Sequence, residues 1–106
     1  MEHSDERRSH IRVPFGGTVQ VIQHDEPLPP CACFDIGEGG MRVAADLPRE
    51  APVEVLFAVP CAEEICCVIL IRAEVAWGKG WCTGVRFLHS SDEVRDRIRA
   101  FVEAKA

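Results

Sequence analysis

The stretch Ile65-Cys66-Cys67-Val68-Ile69-Leu70-Ile71-Arg72-Ala73-Glu74-Val75-Ala76-Trp77 decides how this chain folds. Ile65, Cys67, Ile69, Ile71, Ala73, Val75 and Trp77 fall on one face in strict alternation, with Arg72 and Glu74 on the other. A period of two is that of a half-buried strand, and β-branched side chains favour the pleated surface over the helix. The length of the run places it at the centre of a sheet. Gly78-Lys79-Gly80 then turns the chain into Trp81 to Phe87, where Trp81, Thr83, Val85 and Phe87 share the core parity. On the other side, Val53, Val55, Phe57 and Val59 alternate until Pro60 stops the strand.

Farther out the same pattern continues. Phe15 to Ile22 is a strand with Val19 and Val21 inward, preceded by a bend at Gly16-Gly17, and the prolines between His24 and Pro30 mark a hairpin connection. Cys31 to Ile36 follows, with Ala32, Phe34 and Ile36 expected inward and Asp35 outward. Gly37 to Gly40 makes a turn into a short strand at Met41 and Val43. The ending has helical spacing: Ser90 and Glu93 form a capping box ahead of Val94, Ile98, Phe101 and Val102, giving a helix over about 91–104. These elements predict a mainly β fold, a six-stranded antiparallel β-barrel with one C-terminal α-helix, because closure removes exposed edges. Met1 to Arg12 has neither periodicity, so residues 1–12 are expected as a flexible tail and 13–106 as the folded domain.

With 106 residues and 47% apolar content, the chain has room for one core. A formal charge of −5 speaks against general affinity for DNA, RNA or anionic membrane, which rests on basic surface. Positive charge is gathered instead at Arg7 to Arg12 and Arg95 to Arg99, so an anion site must be local. No apolar run approaches the roughly 20 residues of a membrane span, and the N-terminus lacks the apolar stretch of a secretory signal. A cytoplasmic location is expected, with the six cysteines (Cys31, Cys33, Cys61, Cys66, Cys67 and Cys82) reduced. No Cys-x-x-Cys spacing occurs and alternation separates Cys66 from Cys67, so no metal is expected. No Ser/His/Asp, Cys/His or paired-carboxylate arrangement stands out, which argues against an enzyme. Val68 and Leu70, outward by parity, form an apolar patch of the kind that meets a protein partner.

Two stretches carry the chemistry. Glu6-Arg7-Arg8-Ser9-His10-Ile11-Arg12 offers planar guanidinium forks for phosphate or guanine, and Asp35-Ile36-Gly37-Glu38-Gly39-Gly40 sets a carboxylate beside bare backbone. Together they read as a clamp for an anionic, guanine-bearing ligand. Taken singly, the arginines read more often as solvated surface, and Asp35 more often as a turn-former capping nearby amides.

In this order and separation the residues resemble a PilZ domain, the bacterial module that binds cyclic di-GMP, over nearly the whole chain. The family's Arg-x-x-x-Arg motif is matched by Arg8 and Arg12, preceded by Glu6-Arg7; its Asp-x-Ser-x-x-Gly motif is matched at Asp35 and Gly40, with Gly37 in place of the serine. Ala73-x-Val75-x-Trp77 and Gly84-Val85-Arg86-Phe87 are further echoes. The resemblance implies a stand-alone receptor that needs no cofactor beyond its cyclic di-GMP ligand. Arg8 and Arg12 would contact phosphate and guanine, Arg7 would add a phosphate partner, and Asp35 would accept from guanine N1 and N2. Gly39 and Gly40 would let the backbone pass close to the ligand. Gly37 lacks the motif hydroxyl, a contact worth about 1 kcal/mol, or roughly 3 if a polar partner is left unsatisfied. The implied action is that of an adaptor, monomer or homodimer, whose ligand draws the tail against the barrel so that a protein partner reads the surface. Two alternatives stand beside it: a degenerate PilZ-like protein–protein interaction domain that binds nucleotide weakly or not at all because of Gly37, and redox or metal sensing through the cysteines.

Overall fold

Every alternating stretch becomes a strand in the computed structural model, which describes residues 11–49, 52–60, 66–88 and 90–106. In chain order the elements are β1 (Arg12–Pro14), β2 (Thr18–Gln23), β3 (Glu26–Pro27), β4 (Cys31–Gly37), β5 (Gly40–Val43), β6 (Pro52–Val59), β7 (Cys67–Gly78), β8 (Thr83–Phe87) and the helix α1 (Asp92–Lys105). The order β4-β5-β8-β7-β6-β2 is closed by pairing of β2 with β4, so six antiparallel strands form a barrel, as the alternation predicts. The long alternating run becomes β7, the longest strand, held between β6 and β8. Its Cys67, Ile69, Ile71, Ala73 and Val75 face inward against Val21, Val55 and Val85. Burial of each larger aliphatic contributes about 1.5–3 kcal/mol, and this interior supplies the stability that lets the outer face carry exposed charge. Among the described residues Thr83 is the buried polar exception. Its hydroxyl donates to the Ala45 carbonyl at 2.6 Å and accepts from the Leu47 amide at 3.3 Å, which ties the β5–β6 connection to the wall.

Two short strands add to the six. β2 and β1 share one edge of β4: Thr18 and Val19 pair with Ala32 and Cys31, while Arg12, Val13 and Pro14 pair with Gly37, Ile36 and Asp35. Between them the chain bends at Gly16, whose φ of +71° suits glycine. Arg12 is thus the first residue of a strand rather than the last of a tail; residues 1–10, with Arg7 and Arg8, lie outside the described residues. The chain's own core anchors β1. Val13 is buried, and the Phe15 ring sits edge-on to Phe57 and Phe101 at 5.9 and 5.6 Å. The other short strand, β3, pairs with β2 through a two-residue turn, His24-Asp25, in which both residues have positive φ (53° and 62°). Such a turn prefers glycine at its second position. Asp25→Gly is expected to raise the unfolding free energy by about 0.5–1 kcal/mol in urea titrations.

Alternation breaks at two places, and both breaks reshape the outer face. In β4 the register steps from Cys33↔Val43 to Asp35↔Arg42, leaving Phe34 as the extra residue of a bulge. Cys33 and Ile36 therefore point inward while Ala32 and Phe34 are exposed, which corrects the inward placement of Ala32 and Phe34; Asp35 faces outward as expected. In β7 the step from Val75↔Val85 to Trp77↔Gly84 leaves Ala76 extra and turns Trp77 to the outside. Trp81 precedes β8, is 70% exposed, and meets Phe34 edge-on at 5.7 Å instead of entering the core.

The helix begins one residue later than the capping box implies. Ser91 is the N-cap, its hydroxyl accepting from the Val94 amide at 3.2 Å. Asp92 and Glu93 in the first turn and Lys105 in the last oppose the helix dipole, and Ile98, Phe101 and Val102 pack against β1, β4 and β6. Cys31, Cys33, Cys66 and Cys82 are free. Cys67 is disulfide-bonded, contrary to the expectation of reduced cysteines, and Cys61 lies outside the described residues.

Candidate ligand-binding site

Strand pairing sets the motif residues in two neighbouring rows on the outside of the barrel. In one row Asp35 lies opposite Arg42, Arg42 opposite Gly84, and Gly84 opposite Trp77. In the next, Arg12 lies opposite Gly37, Gly37 opposite Gly40, Gly40 opposite Arg86, and Arg86 opposite Glu74. Gly84 in the first row and Gly37 and Gly40 in the second form a floor of glycines bounded by Arg12, Arg42, Arg86 and Trp77.

Each floor glycine has a packing reason. A Cβ on Gly84 would stand 2.4 Å from the Trp77 indole, which therefore occupies the space over that position. One on Gly40 would stand 2.1 Å from the Val85 carbonyl oxygen, and one on Gly37 would stand 2.7 Å from the Ile11 carbonyl oxygen. Gly37 belongs to β4, and the turn proper is Glu38-Gly39. The absent serine side chain is thus the space in which β1 docks. Gly39 alone among the motif glycines has open space around it, as an approaching ligand requires.

A cleft of about 470 Å³ opens over this floor, lined among others by Arg12, Gly37, Gly39, Trp77, Gly84 and Arg86. That volume falls within the range of about 300–1,000 Å³ common for small-molecule sites. Asp35, Arg42 and Gly40 do not line it; Asp35 reaches it through Arg12, whose Nη1 donates to Oδ1 at 3.3 Å. The other carboxylate oxygen, Oδ2, accepts from Arg42 Nε at 2.7 Å and pairs with its Nη2 at 2.6 Å. The Asp35 side chain is 14% exposed, against 41% for Arg12 and 44% for Arg42. The hydrogen bond that Arg42 donates to Asp35, then the Asp35 charge, pushes the Arg42 guanidinium above its ordinary value. Arg86 is paired with Glu74, and Glu38 with Arg99 of α1 at 3.3 Å. Three guanidinium groups thus surround the floor with two carboxylates, Asp35 and Glu74, as their partners. The exposed Arg86–Glu74 pair contributes only about 0–1 kcal/mol, so an anionic ligand displaces it at little cost. Beneath the site Cys33 is inert: burial first, and the Asp35 charge second, push its thiol up to about 12.

Arg42, Arg86 and Trp77 complete the site without belonging to either motif. Arg42 was within reach of simple counting. A two-residue turn at Glu38-Gly39 makes 37:40, 36:41 and 35:42 cross-strand pairs, which puts an outward arginine beside Asp35. No such count yields Trp77, because it depends on the bulge at Ala76. Among the described residues, no group of three or more His, Cys, Asp or Glu side chains is arranged to hold a metal, and no helix is long and apolar enough to cross a membrane.

The family model of the PilZ domain matches residues 6–104. The chain belongs to the PilZ domain family. Among solved structures, the PilZ domain of CeSA from a cellulose-synthesizing bacterium is similar at 16% identity, covering 90% of this chain and 98% of its own, with a TM-score of 0.66. An uncharacterized Legionella protein is similar at 12% identity, covering 90% and 92%, with a TM-score of 0.54. No protein of curated function matches the sequence. PilZ domains are a family of non-catalytic cyclic di-GMP receptors, and the arginine–glycine face described above lies on that fold.

Proposed function

We propose that this PilZ domain binds cyclic di-GMP on the glycine floor and passes the signal to a protein partner as a non-catalytic adaptor. The observation that carries the reading is the meeting of Arg12 with Asp35, from residues 23 apart in sequence, at the rim of the cleft that Trp77 and Arg86 also line. Cyclic di-GMP presents phosphates and guanines, and these side chains answer both. Arg12 and Arg86 supply forks for phosphate or for guanine O6 and N7, the Trp77 face supplies a stacking surface, and Asp35 accepts from guanine N1–H and N2–H. Arg7 and Arg8 add charge from outside the described residues. Val68 and Leu70, at 69% and 52% exposure, offer an apolar surface for the partner.

Isothermal titration with cyclic di-GMP tests the reading. Binding is expected for the unsubstituted chain, and Arg12→Ala and Asp35→Ala are each expected to weaken it about tenfold, the effect of one charge-assisted hydrogen bond. No heat at high micromolar protein overturns the proposal and favours an interaction domain without nucleotide affinity.

A further inference from the structure

We infer that Arg42 is the positioning residue of the site, holding the Asp35 carboxylate so that a single oxygen, Oδ1, is presented to guanine. The inference rests on the cyclic di-GMP reading and adds a residue outside both family motifs. Arg42 approaches Asp35 side-on: Nε at 2.7 Å and Nη2 at 2.6 Å both address Oδ2. Oδ2 therefore takes a hydrogen bond from Nε and an ion-pair contact from Nη2, and is the occupied oxygen. Oδ1 has one long contact, to Arg12 Nη1 at 3.3 Å, and keeps acceptor capacity.

The two arginines therefore do different work. Arg42 stands directly opposite Asp35 on β5, with its backbone fixed by pairing to β4 on one side and β8 on the other. It ties down Oδ2 with two nitrogens of one rigid guanidinium, where an ammonium would offer a single point contact. Arg12, on the three-residue β1, makes the weaker contact and is the one to let go. When a guanine N–H takes Oδ1, Arg12 exchanges Asp35 for the ligand, while Arg42 stays. Guanine recognition then depends on Arg42 even where Arg42 does not touch the base.

Affinities for cyclic di-GMP and for cyclic di-IMP, whose hypoxanthine lacks the N2 donors, separate these roles. The unsubstituted chain is expected to prefer cyclic di-GMP at least tenfold. Arg42→Ala is expected to collapse that preference to within about threefold, and Arg12→Ala to weaken both ligands alike with the preference kept. Arg42→Lys retains the charge without the fork and is expected to lose most of the preference as well. It carries the test if circular dichroism shows Arg42→Ala to be unfolded. A preference unchanged in Arg42→Ala or Arg42→Lys, or an equal loss for both ligands, overturns the positioning role while leaving the cyclic di-GMP reading intact. Absence of binding by the unsubstituted chain overturns both.

Discussion

Gly40→Ala is expected to lower the unfolding free energy by about 3 kcal/mol or more, with a fall in thermal midpoint of at least about 12 °C. A Cβ at this position would stand 2.1 Å from the Val85 carbonyl oxygen, and the atom it meets is backbone in a paired strand. A flexible side chain swings aside; a strand in the barrel wall does not. Relief requires β5 to draw away from β8, which breaks the Gly40↔Arg86 and Met41↔Val85 pairs and opens the packing around Met41, a fully buried side chain. Overpacking alone costs about 1–3 kcal/mol, and each unmade buried hydrogen bond adds about 1. Thermal unfolding followed by far-ultraviolet circular dichroism measures the effect, and a midpoint equal to that of the unsubstituted chain is incompatible with this β5–β8 register. Reduced ligand binding in this variant reports the fold and not a lost contact.

The second large effect is at Gly37, where the motif serine is missing. Restoring it by Gly37→Ser is expected to weaken cyclic di-GMP binding about a hundredfold, close to 2.7 kcal/mol, rather than to strengthen it. The added Cβ meets the Ile11 carbonyl at 2.7 Å and Arg12 Cγ at 3.3 Å. The neighbour that must yield is the backbone leading into β1, and β1 carries Arg12. Displacing the strand removes the arginine from the cleft together with its contact to Asp35, a larger loss than truncating one side chain. Titration of Gly37→Ser beside Arg12→Ala decides the point. Binding that appears or tightens in the serine variant would mean that the glycine is a lesion and the domain a degenerate one. Weaker binding means that glycine is the residue this arrangement of β1 needs.

Much of the fold was legible because its signals are local. Alternation at Val53 to Val59 and at Cys67 to Val75 reports which face of a strand is buried, and helical spacing from Val94 to Val102 reports the stripe that packs against β1, β4 and β6. The capping box named the right neighbourhood and the wrong serine, since Ser90 and Ser91 are chemically alike and only the φ/ψ of the preceding chain chooses between them. Of the site, Arg12 and Asp35 were visible as residues; that they touch depends on β1 pairing with β4.

Composition and periodicity by themselves determined that this chain forms a six-stranded barrel with a terminal helix. They suffice because burying a strand face or a helix stripe is decided by residues two to four apart. Only the tertiary structure decided that Phe34 and Trp77 face outward, that Arg42 and Arg86 join the site, and that Gly37 and Gly40 are glycine for reasons of packing. Each of these depends on which residue of one strand stands opposite which residue of another. A bulge of one residue, at Phe34 or at Ala76, reverses that relation for every position beyond it without leaving a mark in the local sequence.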